Sequence, residues 1–346
     1  MEIGYVNARV RGMKGRLLQP EALEKMLHKP DVEAIISQLE GTAYHEDLER
    51  ASVQYAGIYC IEHALRMNLV RTYRTILRII GGEPFAFCIH IFLNKWDIQN
   101  IKTVLRGKHV HIPHEETLAC LVPAGELDEA TLVELVKQPD IRSIIDMLAT
   151  WEILYALPLT KAYPRYQAKR DLAVLEYALD KFYFGRALAS LQGRSYNEAI
   201  VRNLLQTEID ITNIKSLLRL LRDKVSAEDG RAVLIPGGKH LDVAFLSRLM
   251  SQGGEDALAG LARTPYASAH PAGRLAGKEI SVYEKELDRM LVTQGIGAGR
   301  GDPLSIALVI GYLWLKSNEI TNIRIISRCK NAFVPDDEIR EELMYV

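Results

Sequence analysis

The sequence predicts an all-α protein made of three similar helical units. Three observations support this fold class. The composition favours helices, because Leu, Ile and Ala are abundant while only 7% of the residues are aromatic. The alternation of apolar and polar residues that marks strands between hairpin turns is almost absent. A ten-residue pattern also occurs three times at nearly constant spacing, and 346 residues suffice for two or three domains of roughly 100–200 residues.

The repeated pattern is an acidic residue, Ile, any residue, Asn, Ile and a basic residue, followed four positions later by Arg. It occurs at residues 97–106, 210–219 and 319–328, so that its copies begin 113 and 109 residues apart. A period of this length exceeds the roughly 20–50 residues of a solenoid repeat. We therefore predict three small domains, with the boundaries 1–115, 116–230 and 231–346.

The helices of the first unit follow in order from their start and stop signals. One helix is expected after Pro20, and a second over the stretch from Asp31 to Glu40. A longer amphipathic helix is expected from about Leu48 to Ile80, where Gly81 and Gly82 supply a stop signal. The last helix is expected from Pro84 to Arg106, because proline suits the first turn of a helix.

The third unit repeats this last start signal. Asp302 is expected to cap the helix and Pro303 to take its first position. The repeated helix of the second unit has one apolar face, and Asn213 projects roughly opposite to it. Because Asn is a poor residue for a helix interior, we expect it to make a specific hydrogen bond, for example to the backbone of a neighbouring helix.

The repeated polar positions are therefore candidate site residues. A shared packing role inherited by duplication is the favoured interpretation, and direct contact with a partner is the alternative. The positions are Asn100, Asn213, Asn322, Arg106, Arg219 and Arg328.

Bulk properties exclude several classes of protein. A net charge of −1 argues against a dedicated nucleic-acid binder. The four cysteines are scattered and form no CxxC pair, which favours a reducing compartment. No secretory signal is expected, and the most apolar stretch, Leu304 to Leu315, is too short for the roughly 20 residues of a membrane span. We expect a cytoplasmic chain that is a monomer when isolated.

Three other patterns invite a chemical interpretation that we do not favour. The glycine-rich segment 295–301 follows a helix and lacks the P-loop pattern, so a flexible interhelical loop is preferred to a nucleotide site. A cluster of three loop histidines lacks the companions of a recognisable metal site. Three glutamates at equivalent positions favour structural ion pairs or exposed faces over catalysis. No cofactor and no catalytic residue are predicted. The histidines are His109, His111 and His114, and the glutamates are Glu62, Glu176 and Glu284.

A basic segment near the N-terminus is the candidate partner interface. It consists of Arg9, Arg11, Lys14 and Arg16, with no acidic residue between Ile3 and Pro20. A solvated face is the default interpretation. Docking against anionic lipid head groups or an acidic partner surface is the functional alternative.

The chain resembles the C subunit of the V/A-type ATPases. The resemblance lies in the N-terminal run from Tyr5 to Leu18, in the three Asn-Ile-Lys/Arg helices, in the Pro236-Gly237-Gly238 loop and in the helix at Pro303 and Leu304. It covers essentially the whole chain. The third copy has Glu319 and Arg324 in place of Asp and Lys, and the second copy has a longer loop.

The resemblance implies a funnel-shaped socket of three units around a pseudo-threefold axis. It further implies a non-catalytic central-stalk subunit that joins the proteolipid rotor ring to the central shaft, at the cytoplasmic face of a membrane. Two other interpretations stay open: a helical scaffold or adaptor unrelated to rotary motors, and an all-α enzyme with a pocket between its units.

Overall fold

The protein is all α-helical, as the sequence predicts. The computed structural model describes residues 3–193, 195–269 and 277–345, and no strand occurs in these ranges. In chain order the helices are α1 (Ile3–Lys14), α2 (Pro20–Leu27), α3 (Val32–Glu40), α4 (His45–Ser52), α5 (Gly57–Ile80), α6 (Ala86–Leu93), α7 (Lys95–His109), α8 (His114–Ala119), α9 (Glu129–Lys137), α10 (Ile141–Thr150), α11 (Ala156–Lys169), α12 (Ala173–Ser190), α13 (Tyr196–Arg222), α14 (Ala227–Arg231), α15 (Val243–Gln252), α16 (Gly254–Leu261), α17 (Gly277–Ala298), α18 (Ala307–Asn331) and α19 (Asp336–Glu342).

The chain forms two compact units whose limits differ from those of the sequence repeats. Unit 1 contains residues Met1–Lys137 together with Gly295–Val346, and unit 2 contains Gln138–Gln294. Unit 1 thus joins the first repeat to the last long helix of the third. The repeat boundaries at 115 and 230 remain a prediction about duplicated sequence.

In unit 1, α18 packs along α5 and also contacts α1, α2 and α3. Ile61 and Ile76 of α5 are completely buried, as are Ile310 and Leu313 of α18. Because burying an apolar side chain of this size contributes about 1.5–3 kcal/mol, this pairing holds the C-terminal part of the chain to the first repeat.

Unit 2 is built around α13, which packs against α12 and α15. Ile209, Ile214 and Leu218 are completely buried, and Asn213 is buried as well. Asn213, which the sequence places opposite the apolar face, therefore does not lie at the surface, because α13 is enclosed on most of its circumference.

Two predicted helix boundaries are wrong. The helix expected from Leu48 to Ile80 is broken at residues 53–56, and α5 begins at Gly57, whose φ is +54°. This break lets α4 fold back on α5, where Asn68 donates a 2.7 Å hydrogen bond to Asp47. The helix expected from Pro84 to Arg106 begins at Ala86 and is divided at Asn94.

The expected cap at Asp302 is wrong too, because α18 begins at Ala307. The Asp302 carboxylate instead accepts a 2.8 Å hydrogen bond from the backbone N–H of Leu304, so it stabilises a turn before the helix. The glycine-rich segment 295–301 is also not simply a loop, because Gly295 and Gly297 belong to α17. By contrast, Asp31 and Asp140, 109 residues apart, each cap a helix with 2.8 Å bonds to backbone N–H groups.

The last long helix of each repeat ends in the same way. His111, Lys224 and Phe333 follow α7, α13 and α18 in equivalent register, and their φ values are +58°, +53° and +57°. In each case the next backbone N–H turns back to a carbonyl five residues earlier, the pattern of a Schellman cap. Sequence reasoning missed these caps because none of the three residues is glycine.

Candidate functional site

The three repeated asparagines each hold a backbone segment 22 residues further along the chain. Asn100 holds Val122 and Asn213 holds Ile235, in both cases with a 2.7 Å bond to the carbonyl and a 2.8 Å bond from the N–H. Asn322 holds Met344 through two 3.0 Å bonds. We call each arrangement an asparagine clasp. Its partner is an extended loop rather than a neighbouring helix.

Asn213→Ala should lower the free energy of unfolding by about 2–3 kcal/mol, because it strands a buried backbone N–H and carbonyl. Asn322→Ala should cost about half as much, because its bonds to Met344 are only partly buried. Urea denaturation of the two variants measures both effects. A smaller loss for Asn213→Ala than for Asn322→Ala would contradict this account of the clasp.

The repeated acidic residue binds the start of the following repeat. Asp97 accepts a 3.0 Å bond from the backbone N–H of Leu127, and Asp210 accepts a 3.3 Å bond from that of Leu241. Glu319 accepts a bond from the backbone N–H of Leu18. These three leucines are 109 and 114 residues apart, in the register of the repeat.

The three pairings connect the sequence repeats in cyclic order. The first acid binds the second repeat, the second binds the third, and the third returns to the first. We call each pairing of the repeated acid with a leucine N–H an acid clasp. The clasp at Glu319 adds to the packing of α18 against α5 and α1 in unit 1. The third repeat has Glu319 where the first two have Asp97 and Asp210, and the partner of Glu319 is Leu18, near the start of the chain.

A buried tyrosine completes one acid clasp in each unit. The Tyr44 hydroxyl donates a 2.6 Å bond to Glu319, and the Tyr266 hydroxyl donates a 2.8 Å bond to Asp210. Burial, reinforced by the neighbouring acid, raises the pKa of both tyrosines well above the ordinary value. Burial also raises the pKa of Asp210, although the hydrogen bonds that it accepts act in the opposite direction.

Tyr266→Phe should lower the free energy of unfolding by about 2 kcal/mol at pH 7, where it removes a hydrogen bond to a charged group. The difference in the free energy of unfolding between the wild type and Tyr266→Phe should then shrink above pH 10. Because the pKa of Tyr266 is raised in the folded state, the unfolded chain ionises first, and its ionisation favours unfolding. Urea denaturation between pH 7 and 11 measures the difference. Tyr59→Phe, at an exposed tyrosine, is the control. A stability difference between the wild type and Tyr266→Phe that widens above pH 10 would contradict the account.

The acid clasp of the third repeat contains a buried cation. Lys316 lies 2.8 Å from both Glu319 and the Tyr44 hydroxyl, whereas Asn94 and Thr207 take the equivalent positions in the other repeats. Lys316 and Glu319 are each about 5% exposed. Burial lowers the pKa of Lys316, opposed by the attraction of Glu319. A buried charge needs such a partner, so these two residues depend on each other.

Two of the repeated glutamates form ion pairs, which confirms the structural interpretation for them. Glu62 of the first repeat pairs with Arg324, at 2.8 Å, and with Arg328 of the third. Glu284 of the third repeat pairs with Arg219 of the second, at 2.7 Å. The equivalent Arg106 is exposed in the last turn of α7. As in the acid clasps, the second repeat is thus paired with the third and the third with the first.

The basic segment lies on and just beyond α1. Its four side chains are exposed. Within the part of the chain that the structure describes, none of them has a carboxylate within 4.0 Å, and Arg9 donates only to the Tyr5 hydroxyl, at 3.0 Å. Arg9 and Arg16 line a cavity of about 770 Å³ in unit 1, but Arg11 and Lys14 do not. We call this cavity the basic groove; Gly12, Arg71, Tyr312 and Lys316 also line it.

The family of the ATP synthase (C/AC39) subunit matches residues 6–342, which include the repeated acid and asparagine of all three repeats. The chain belongs to this family. Among its relatives are the C subunits of several A-type ATP synthases. That of Archaeoglobus fulgidus is 29% identical over 98% of this chain and 95% of its own length. Those of Methanococcoides burtonii and Methanosarcina acetivorans are each 31% identical, over 98% and 99% of this chain and over 93% and 92% of their own lengths.

Membership of the C/AC39 family agrees with the resemblance seen in the sequence. None of the helices in the described ranges combines the length and the apolar composition of a membrane span. The same ranges contain no group of three or more His, Cys, Asp or Glu side chains arranged to hold a metal ion. Of the three histidines expected in a loop, only His111 lies in one, because His109 ends α7 and His114 begins α8. Sequence reasoning identified the repeated Asn and acidic positions, but it did not identify the backbone groups that they bind or the basic groove.

Proposed function

We propose that the chain is the non-catalytic central-stalk subunit that couples the proteolipid rotor ring to the central shaft of a rotary ATP synthase. The observation that carries this proposal is the family match, which extends over nearly the whole chain and all three repeats. Torque is then transmitted either from ion flow to the catalytic head or from ATP hydrolysis to the ring.

The packing of the protein suits a mechanical part. Close-packed helices transmit strain because protein interiors are poorly compressible. The acid clasps fasten the start of each repeat to a long helix of the preceding one, and Glu319 makes the final connection to Leu18. Within each unit, a load applied to the segment at Leu18, Leu127 or Leu241 is thereby passed to a helix through hydrogen bonds rather than through a flexible linker.

The remaining parts of the proposal concern shape and location. The three repeats surround a pseudo-threefold axis as a funnel-shaped socket, with unequal faces that meet partners of different symmetry. The chain lies at the cytoplasmic face of the membrane and touches it only through the complex. It is a monomer when isolated, binds no nucleic acid and needs no cofactor.

Affinity purification tests this function. The full-length tagged chain is isolated from detergent-solubilised native membranes, and its partners are identified by mass spectrometry. We expect a proteolipid, a coiled-coil protein of the shaft and the subunits of the ATPase head. If none of them is recovered from membranes that contain an intact rotary ATPase, the chain is a helical adaptor of another kind.

A further inference from the structure

Two of the four arginine and lysine side chains that line the basic groove have no ion-pair partner among the described residues. Arg71 binds Glu46 and Asp47, each at 2.6 Å, and Lys316 binds Glu319 at 2.8 Å. Those two cations are therefore satisfied internally. Arg9 and Arg16 have no carboxylate within 4.0 Å among the described residues. The groove thus offers two guanidinium groups to an anionic partner, and guanidinium binds carboxylates well because its paired N–H groups match their geometry.

The shape of the groove favours an extended partner over a small anion. Its volume of about 770 Å³ is far larger than one carboxylate or phosphate needs. A Cβ atom on Gly12 would meet nothing within 4 Å, so the α1 wall is open there and a partner backbone can approach it closely. Met13 and Leu17, both half-buried, supply apolar surface on the same cavity. Apolar surface bordered by charge is the usual character of a protein interface.

The positions of the two arginines favour an elongated partner. Arg9 lies on α1, whereas Arg16 lies two residues beyond the end of that helix at Lys14. An acidic segment with two separated carboxylates can therefore pair with both. We propose that the basic groove binds an acidic segment of a neighbouring protein subunit, with its carboxylates on Arg9 and Arg16 and its backbone beside Gly12.

This inference rests on the proposed function, because the neighbour is a subunit of the same complex. An anionic membrane surface is the rival partner. A membrane would be expected to contact Arg11 and Lys14 as readily as Arg9 and Arg16, since all four are exposed and basic. A segment seated in the groove would depend on Arg9 and Arg16 alone. The two pairs of residues therefore distinguish the partners.

The first experiment compares two matched double variants of the full chain in its native complex. Arg9→Glu with Arg16→Glu should lower the fraction that stays in the complex after a salt wash by at least about tenfold, as expected for the loss of two charge pairs. Arg11→Glu with Lys14→Glu changes the net charge by the same amount and should leave that fraction near the wild-type value. Equal losses for both pairs, or no loss for either, would overturn the proposal. Circular dichroism checks that both variants are folded.

The second experiment identifies the partner. A benzoylphenylalanine photo-cross-linker replaces Met13, which lines the groove, and in a control replaces Val53, which is 81% exposed and lies outside it. From Met13 we expect a cross-link to an acidic segment of another subunit. A cross-link to lipid, to a second copy of this chain or to a segment without acidic residues would refute the proposal, as would no cross-link at all.

Failure here is distinguishable from failure of the proposed function. If the wild-type chain co-purifies with the ring and the shaft but the groove forms no such contact, the function stands and the groove assignment falls. If the wild-type chain does not enter the complex, the proposed function falls first.

Discussion

Glu319→Gln is expected to lower the free energy of unfolding by about 3–5 kcal/mol, the usual cost of removing one partner of a buried ion pair. The substitution keeps the size of the side chain but leaves Lys316 charged and enclosed, without the ion-pair partner that lies 2.8 Å from it. It also weakens the bond to the backbone N–H of Leu18, which fastens α18 to the first repeat. Urea denaturation monitored by circular dichroism measures the loss.

Two further variants separate the buried charge from the hydrogen bonds. Adding Lys316→Met to Glu319→Gln should restore much of the loss, because no unpaired charge then remains. Asp146→Asn, which breaks an exposed pair with Arg142, should cost at most about 1 kcal/mol. A cost for Glu319→Gln no greater than that of Asp146→Asn would show that the clasp of the third repeat adds little stability.

Gly238→Ala is expected to destabilise unit 2 by about 3 kcal/mol, at the upper end of the cost of overpacking. A Cβ atom there would overlap the Asp210 carboxylate and lie 2.6 Å from the Leu241 carbonyl oxygen. The carbonyl is backbone, so the strain cannot be relieved by a rotamer change. The loop would have to move away from Asp210, which would also weaken the bonds that Asp210 accepts from His240 and Leu241.

Gly82→Ala provides the matched control. A Cβ atom on Gly82 meets nothing within 4 Å, so its substitution should change the thermal unfolding temperature very little. Gly125 stands in the position of Gly238 in the preceding repeat, and there a Cβ atom would lie 2.5 Å from an Asp97 oxygen. Gly125→Ala should therefore cost less than Gly238→Ala, because the three atoms nearest to the new methyl group all belong to the Asp97 side chain and none to the backbone. If Gly238→Ala is no less stable than Gly82→Ala, the loop at Gly238 does not depend on the close approach of its backbone to Asp210 and Leu241.

The fold class and the repeat could be predicted because both depend on local patterns. The acid, Asn and Arg positions recur in register, and the caps at Asp31 and Asp140 follow from neighbouring residues. The division near Asn94 could not be predicted, since the same helix is continuous in α13 and α18. Nor could the start of α18, because Asp302 has the residue type of a helix cap but forms a turn instead.

The candidate site could be predicted only in part. Sequence showed that Asn213 and the loop at Ile235 each recur, but not that they bind each other, because backbone groups leave no signature in residue identity. The pairing of Glu319 with Leu18 is more distant still, at 301 residues of separation. One signal was available in the sequence. The three leucines whose backbone N–H groups bind the acids, Leu18, Leu127 and Leu241, are spaced like the repeats themselves.

The proposed coupling role is tested most directly by measuring ATP hydrolysis and ATP-driven ion uptake together in membrane vesicles from cells that lack this chain. We predict that the catalytic head, assayed after release from the membrane, still hydrolyses ATP while ATP-driven ion uptake is lost. Supplying the wild-type chain should restore the uptake. Coupled ion uptake that persists in vesicles shown to lack the chain would contradict the proposed function.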